Sequence, residues 1–121
     1  MTALWVAFAG SLGAVARFAL DDFARSRHAV RFPWPTMLVN VTGSLLLGLV
    51  TGLGMFHGEP SLWRTVIGVW FCGGYTTFST ASWDTVALAR RGVYGLALAH
   101  ALGTLALTLA AGGLGLVLAG A

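Results

Sequence analysis

The chain has 121 residues, of which 57% are hydrophobic and 9% are charged, and its mean hydropathy is +0.82. Soluble domains carry about a quarter charged residues, so this composition excludes an ordinary soluble protein. The formal net charge of +3 reflects seven arginines scattered over short polar segments. They indicate membrane topology and contacts with lipid headgroups, and they do not form a patch for nucleic acid.

Clusters of charged residues divide the chain into long apolar runs. Each run is close to or longer than the roughly 20 residues that a helix needs to cross a bilayer. The pattern predicts an all-α integral membrane protein, a single domain over residues 1–121. Its four expected spans cover about 3–20, 36–56, 62–89 and 93–119.

A signal peptide is the alternative interpretation of the first apolar run. A signal peptide begins with a positively charged region, but no Lys or Arg precedes this run. Arg17 also interrupts the region where the apolar part of a signal peptide would end. The first run is therefore interpreted as a membrane span.

Small and polar residues recur at every fourth position in the second and fourth spans, which places them on one face of each helix. The two sets are Thr36, Asn40, Ser44, Gly48 and Gly52, and His100, Thr104, Thr108 and Gly112. The glycines are typical of close helix packing, and His100 is interpreted as a helix contact. Asn40 is different, because a carboxamide in mid-membrane needs hydrogen-bond partners. We expect Asn40 to have a functional role.

The third span is the longest and contains the adjacent glycines Gly73 and Gly74 near its midpoint, followed by several hydroxyl residues. A helix break is predicted there, and the alternative is a simple kink that aids packing. Backbone groups freed by a break inside the membrane must be buried in protein or line a cavity, and such breaks often build ion sites.

The polar residues inside the spans limit the class of solute that the protein could pass. No Asp or Glu lies inside the first, second or fourth span, and Asp84 lies toward the end of the third. Neutral donors together with Arg17 suit an anion or a polar neutral solute better than a cation. Four helices enclose little of a pore, so an oligomer is expected.

Three segments resemble signatures of the CrcB/Fluc fluoride channel family, in the family's order. They are Gly10-Ser-Leu-Gly-Ala-Val-Ala-Arg17, Pro35-Thr-Met-Leu-Val-Asn-Val-Thr-Gly43 and Gly68-Val-Trp-Phe-Cys-Gly-Gly-Tyr-Thr-Thr-Phe-Ser-Thr80. The resemblance covers essentially the whole chain, and the Gly-Gly-Xaa-Thr-Thr-Phe-Ser-Thr element is its most specific part.

The resemblance implies an antiparallel, dual-topology dimer with two pores that passively expels cytoplasmic fluoride across the prokaryotic plasma membrane. An enzyme is not expected, because the sequence shows no nucleophile–base set and no metal-ligand cluster. The resemblance also implies a structural sodium ion, which is not transported, held by the backbone carbonyls of Gly73 and Thr76. The ion pathway implied by the family pattern comprises Asn40, Phe78, Ser79, Thr80, Thr104 and Thr108.

One position departs from the family pattern. The family usually has a second phenylalanine three residues after the first, and this chain has Ala81 there.

Two other functions are alternatives. A small multidrug-resistance-type exporter needs a glutamate in its first helix, which this chain lacks. A non-transporting membrane scaffold would give no ion flux.

The arginines predict a fixed orientation. Of those near the ends of spans, five lie on the side of the first and third loops, namely Arg25, Arg27, Arg31, Arg90 and Arg91, against Arg64 on the other side. This bias favours loops one and three in the cytoplasm. The chain is therefore expected to pair with a related subunit of opposite orientation, and a homodimer is the alternative.

Overall fold

The computed structural model describes residues 2–27, 32–57 and 66–120. Within those ranges the chain is helical, with no strand. The elements are α1 (Thr2–Arg27), α2 (Trp34–His57), a π-helical turn π1 (Val66–Phe71), α3 (Cys72–Tyr75), α4 (Phe78–Arg90) and α5 (Tyr94–Gly120).

Three of the described helices are long and apolar enough to cross a membrane, over Ala3–Ala24, Trp34–Phe56 and Tyr94–Gly120. They correspond to the first, second and fourth predicted spans. Helix α1 is longer than its prediction, because its helical hydrogen bonding continues through the charged residues that end the apolar run. At about 1.5 Å per residue it exceeds the roughly 30 Å of the hydrocarbon core.

The third predicted span differs from the expectation in the position of its interruption. Gly73 and Gly74 are helical, and the backbone becomes extended at Thr76 and Thr77. A side chain at Gly74 would collide with the carbonyl oxygen of Gly10, so this glycine permits close contact with α1. The glycine pair therefore serves packing, at least at Gly74. The first part of this span, residues 62–65, lies outside the described residues.

The most extensive helix contact joins α2 to α5. A β carbon on Gly48 would collide with the carbonyl oxygen of Gly112, and one on Gly115 would lie 2.5 Å from the carbonyl oxygen of Leu45. The two backbones are therefore in direct contact, as small residues allow in membrane helices. Helix α1 packs mainly against π1 and α3, and α4 packs against α5.

A tight connection joins α4 to α5 and makes them neighbours. Gly92 has a φ of 79°, a conformation that a residue with a side chain rarely adopts. The N–H of Val93 donates to the carbonyl of Leu88 over 3.1 Å, and that of Gly92 to the carbonyl of Ala89 over 3.0 Å. These bonds end α4 and turn the chain so that Thr85 lies beside His100.

Candidate functional site

The interruption between α3 and α4, in the third predicted span, is held by the side chain of Asn40. Its Oδ1 accepts from the N–H of Thr77 over 2.8 Å, and its Nδ2 donates to the carbonyl of Thr77 over 2.9 Å. Asn40 is only 7% exposed. One carboxamide thus pairs both backbone groups of a residue that has left the helix, which removes the cost of burying them unpaired.

Two carbonyl groups lose their helical donors at this break. In a continuous helix the N–H of Thr77 would bind the carbonyl of Gly73, but it donates to Asn40. The N–H of Thr80 would bind the carbonyl of Thr76, but it donates to Thr77 Oγ1 over 3.0 Å, as the N-cap bond of α4. Gly73 is exposed, with no atom within 4 Å of where a β carbon would lie. The carbonyls of Gly73 and Thr76 are therefore available to another ligand.

Additional hydrogen bonds fix the helical side of the break. The N–H of Thr76 and its Oγ1 both donate to the carbonyl of Cys72, over 2.9 and 2.7 Å. The hydroxyl of Tyr75 lies 2.9 Å from that of Thr42 on α2. The ring of Tyr75 also stacks on that of Phe71. Several side chains and backbone groups thus define where the helix ends.

A cleft of about 750 Å³ runs along the break, between α2, the third span and α5. Most of its wall is apolar, and a few polar groups interrupt it. The polar side chains that line it are Asn40, Ser44, Thr76, Thr77, Ser82, Thr85, His100, Thr104 and Thr108. An apolar cavity with a small number of placed polar groups is typical of a binding site for a small solute.

A cluster of polar side chains joins α2, α4 and α5, and two of its members, Thr85 and His100, line the cleft. Thr36 Oγ1 donates to Asp84 Oδ2 over 2.8 Å. The next residue of α4, Thr85, places its Oγ1 2.7 Å from Nδ1 of His100 and donates to the carbonyl of Ala81 over 3.0 Å. His100 is fully buried, and its ring makes an edge contact with that of Phe32. The prediction that His100 is a helix contact agrees with these partners.

The predicted pathway residues fall into two groups. Asn40, Phe78, Thr104 and Thr108 line the cleft, whereas Ser79 and Thr80 are exposed and are not among its lining residues. Phe78 also projects away from the chain and is 87% exposed.

Two further residues were expected to favour an anion. Thr108 lines the cleft, and its hydroxyl donates to the carbonyl of Thr104 over 2.7 Å. Arg17 lies on α1 and is not among the residues that line the cleft.

Sequence reasoning missed Thr77, Ser82 and Thr85, which also line the cleft. The signal for Thr85 was present, because Ser82 and Thr85 are three residues apart and so lie on neighbouring positions of one helix face. Thr77 had no such signal, since its role depends on the loss of helical geometry that Asn40 stabilises.

Side-chain ligands for a metal are not grouped in this region. No group of three or more His, Cys, Asp or Glu residues that could hold a metal ion occurs in residues 2–27, 32–57 and 66–120.

Long apolar helices, packed through glycines beside a mostly apolar cleft with a few polar groups, define an α-helical membrane protein with a candidate site for a small solute. The family model described as "CrcB-like protein, Camphor Resistance (CrcB)" matches residues 4–116. The chain belongs to this family, and it is a multi-pass protein of the plasma membrane.

Curated relatives match most or all of the chain. "Fluoride-specific ion channel FluC 1" of Leifsonia xyli subsp. xyli is 53% identical over 120 residues, covering 99% of this chain and 88% of the relative. "Fluoride-specific ion channel FluC 2" of Cutibacterium acnes is 52% identical over 90 residues, 74% of this chain and 73% of the relative. "Fluoride-specific ion channel FluC" of Solibacter usitatus is 41% identical over 120 residues, 98% of each chain. These relatives are named as channels, which are not enzymes.

Proposed function

We propose that this chain is a subunit of a fluoride-specific channel that lets cytoplasmic fluoride leave the cell passively and so lowers its toxicity. The observation that carries the proposal is the helix break at Thr76 and Thr77, which Asn40 holds open beside the cleft. The names of the curated relatives support fluoride as the solute.

The chemistry of the cleft suits a small anion. Fluoride is strongly hydrated, so a narrow pathway must replace its water with close hydrogen-bond donors. Asn40 uses one N–H on Thr77 and retains a second for a ligand. Thr104 makes no hydrogen bond through its hydroxyl within the described part of the chain, so that proton is also available. The ring edge of Phe78 carries partial positive charge that can face an anion.

Ion flux from purified protein tests this function. Vesicles loaded with fluoride and carrying the protein should release it to an external fluoride electrode without ATP or a proton gradient. Chloride-loaded vesicles are the control for selectivity, and protein-free vesicles are the control for leakage. Equal rates for chloride and fluoride would contradict the proposal. So would the absence of fluoride release both from the chain alone and from the chain paired with a related subunit.

The same break supports a structural sodium site at the carbonyls of Gly73 and Thr76. Both carbonyls have lost their helical donors, and Gly73 is exposed on the surface of the isolated subunit. Two carbonyls are too few ligands for a cation, so a second subunit would have to contribute its own. A sodium ion held there would supply positive charge beside the anion pathway.

Sodium dependence can be measured separately from fluoride flux. Flux should require sodium during purification, and lithium or potassium should replace it poorly, because carbonyl number and spacing set the fit. The ion is structural, so isotopic sodium should not enter vesicles through the protein. Sodium uptake above the protein-free background would be incompatible with this role.

A second subunit is also favoured by polar groups exposed in the third span. Gly73, Ser79 and Thr80 are exposed in the isolated chain, within the region expected to cross the membrane. Lipid cannot pair such groups, so protein must cover them. We propose a subunit of four spans, with π1, α3 and α4 forming the broken third one, in an antiparallel dimer.

The arginine bias favours a related partner over a second copy. The last turn of α1 carries Arg25 and Arg27, and Arg90 and Arg91 flank the end of α4. In the proposed four-span subunit these four arginines would lie on one side of the membrane. A chain fixed in one orientation needs a partner with the opposite one. That partner could also supply an aromatic ring at the position where this chain has Ala81. A C-terminal topology reporter found equally on both sides of the membrane would restore the homodimer.

A further inference from the structure

Two polar atoms at one end of the cleft make no hydrogen bond with any described residue. They are Nε2 of His100 and Oγ1 of Thr104, and both atoms are buried. The two residues are one helical turn apart on α5, so they share a face and lie about 5–6 Å apart at their β carbons. Both residues line the cleft. Because unpaired buried polar atoms are costly, this pair points to a small ligand.

The contacts of Thr85 favour one tautomer of His100. A threonine hydroxyl has one proton, and its oxygen lies 3.0 Å from the carbonyl of Ala81, which can only accept, and 2.7 Å from Nδ1 of His100. Both contacts are hydrogen bonds at the same time only if Thr85 donates to the carbonyl and accepts from Nδ1. A neutral ring with its proton on Nδ1 presents a lone pair at Nε2. The ligand at Nε2 must then be a hydrogen-bond donor.

We infer that His100 and Thr104 bind one water molecule. An anion is repelled by the lone pair of Nε2, whereas water can donate to Nε2 and accept from the hydroxyl of Thr104. A buried water typically makes about three hydrogen bonds, and this site offers two polar partners from the protein. The second proton of the water faces the cleft and can donate to an anion there. His100 is then a positioning residue for permeation, a role that rests on the proposed fluoride function.

Two amide substitutions distinguish this role from a purely structural one. In His100→Gln the longer amide reaches the place of Nε2, and in His100→Asn the shorter one reaches the place of Nδ1 beside Thr85. If Nε2 holds the water, the glutamine variant keeps fluoride flux near the wild-type value. The asparagine variant loses flux by roughly tenfold, the effect of one lost hydrogen bond to a charged group. A structural role through Thr85 predicts the reverse order, and either that order or equal fluxes would overturn the inference.

A direct observation of the site does not depend on flux. Histidine labelled with ¹⁵N, in protein reconstituted into lipid vesicles, should show an unprotonated Nε2 in contact with water protons by solid-state NMR. The His100→Phe variant, which keeps an aromatic ring next to Phe32, assigns the signal by its loss. A protonated Nε2, or no contact with water, would refute the site. Wild-type protein that shows the water signal but no fluoride flux would refute the proposed function alone.

Discussion

Two parts of the molecule join helices in opposite ways. Where α2 meets α5 near Gly48 and Gly112, the backbones touch and no side chain lies between them. Where α2 meets the third span, Asn40 places a carboxamide between the backbones and pairs both groups of Thr77. The same face of α2 makes both contacts, because these residues lie two turns apart.

This difference shows what a stripe of small and polar residues can do in a membrane helix. The part of the stripe at Gly48 gives close packing, which requires only small residues on the surface of the partner helix. The Asn40 end creates space, because a side chain with donors and acceptors replaces the helical partners of the neighbouring backbone. The cleft lies at this second end. A single helix face thus holds the subunit together and forms the wall of its candidate pathway.

The largest expected effect follows from removing the Asn40 bridge. Asn40→Leu keeps the branching and the number of heavy atoms of the side chain but leaves the N–H and the carbonyl of Thr77 without their partners. We expect a loss of about 2–4 kcal/mol in the free energy of unfolding, since each unpaired buried group costs about 1–3 kcal/mol. Fluoride flux should fall to the protein-free background. Thermal unfolding in detergent and vesicle efflux measure the two effects.

Asn40→Asp is the companion to that change. Aspartate keeps an acceptor for the N–H of Thr77, but its second carboxylate oxygen would face the carbonyl of Thr77 at a position only 7% exposed, so a comparable loss of stability is expected. Its charge also repels an anion in the cleft, so flux should disappear. If Asn40→Leu unfolded at the wild-type temperature, the bridge would not be what holds the break.

The sequence predicts the helices well and the site only in part. Apolar runs bounded by charges indicate the approximate ends of α1, α2 and α5, because hydrophobic length is read directly from composition. The glycine pair predicts the interruption at Gly73 and Gly74, three residues too early. Glycine weakens a helix locally, but at this break the N–H of Thr77 donates to Asn40 on α2, and no local pattern reveals that bond.

Asn40 is recognisable in the sequence from its cost in the membrane, but its partner is not. The fourfold spacing places Asn40 on the packed face of α2, and the family resemblance places it in the ion pathway. Neither indicates that its carboxamide is bound to the backbone of Thr77. Pairing across 37 residues is a property of the folded chain, and the role of Asn40 in permeation stays a prediction.

A smaller effect is expected at the contact between Gly48 of α2 and Gly112 of α5. In Gly48→Ala the new methyl group meets the backbone of Gly112, so α2 and α5 must separate. Forcing a group into a closely packed contact costs about 1–3 kcal/mol. We expect a lower unfolding temperature with fluoride flux per folded protein largely retained, because Gly48 does not line the cleft.

Gly113→Ala is the control for Gly48→Ala, in α5 instead of α2. Gly113 is exposed, and no atom lies within 4 Å of the point where its β carbon would be. The same substitution there should leave the unfolding temperature unchanged or raise it slightly, since alanine favours a helix by up to about 1 kcal/mol. Equal destabilisation by both changes would indicate that backbone contact is not the source of the effect.

The smallest expected effect tests whether the N-cap of α4 influences the proposed cation site. Thr77→Val keeps the shape of the side chain and removes the oxygen that accepts from the N–H of Thr80. Loss of an N-cap costs about 0.5–2 kcal/mol, and Thr77→Ser, which retains the hydroxyl, should cost less. The freed N–H of Thr80 can return to the carbonyl of Thr76 and compete with a cation there. We therefore expect Thr77→Val, but not Thr77→Ser, to need more sodium for half-maximal fluoride flux. A sodium titration of vesicle efflux for both variants measures this, and an unchanged requirement in Thr77→Val would separate the cap from the cation site.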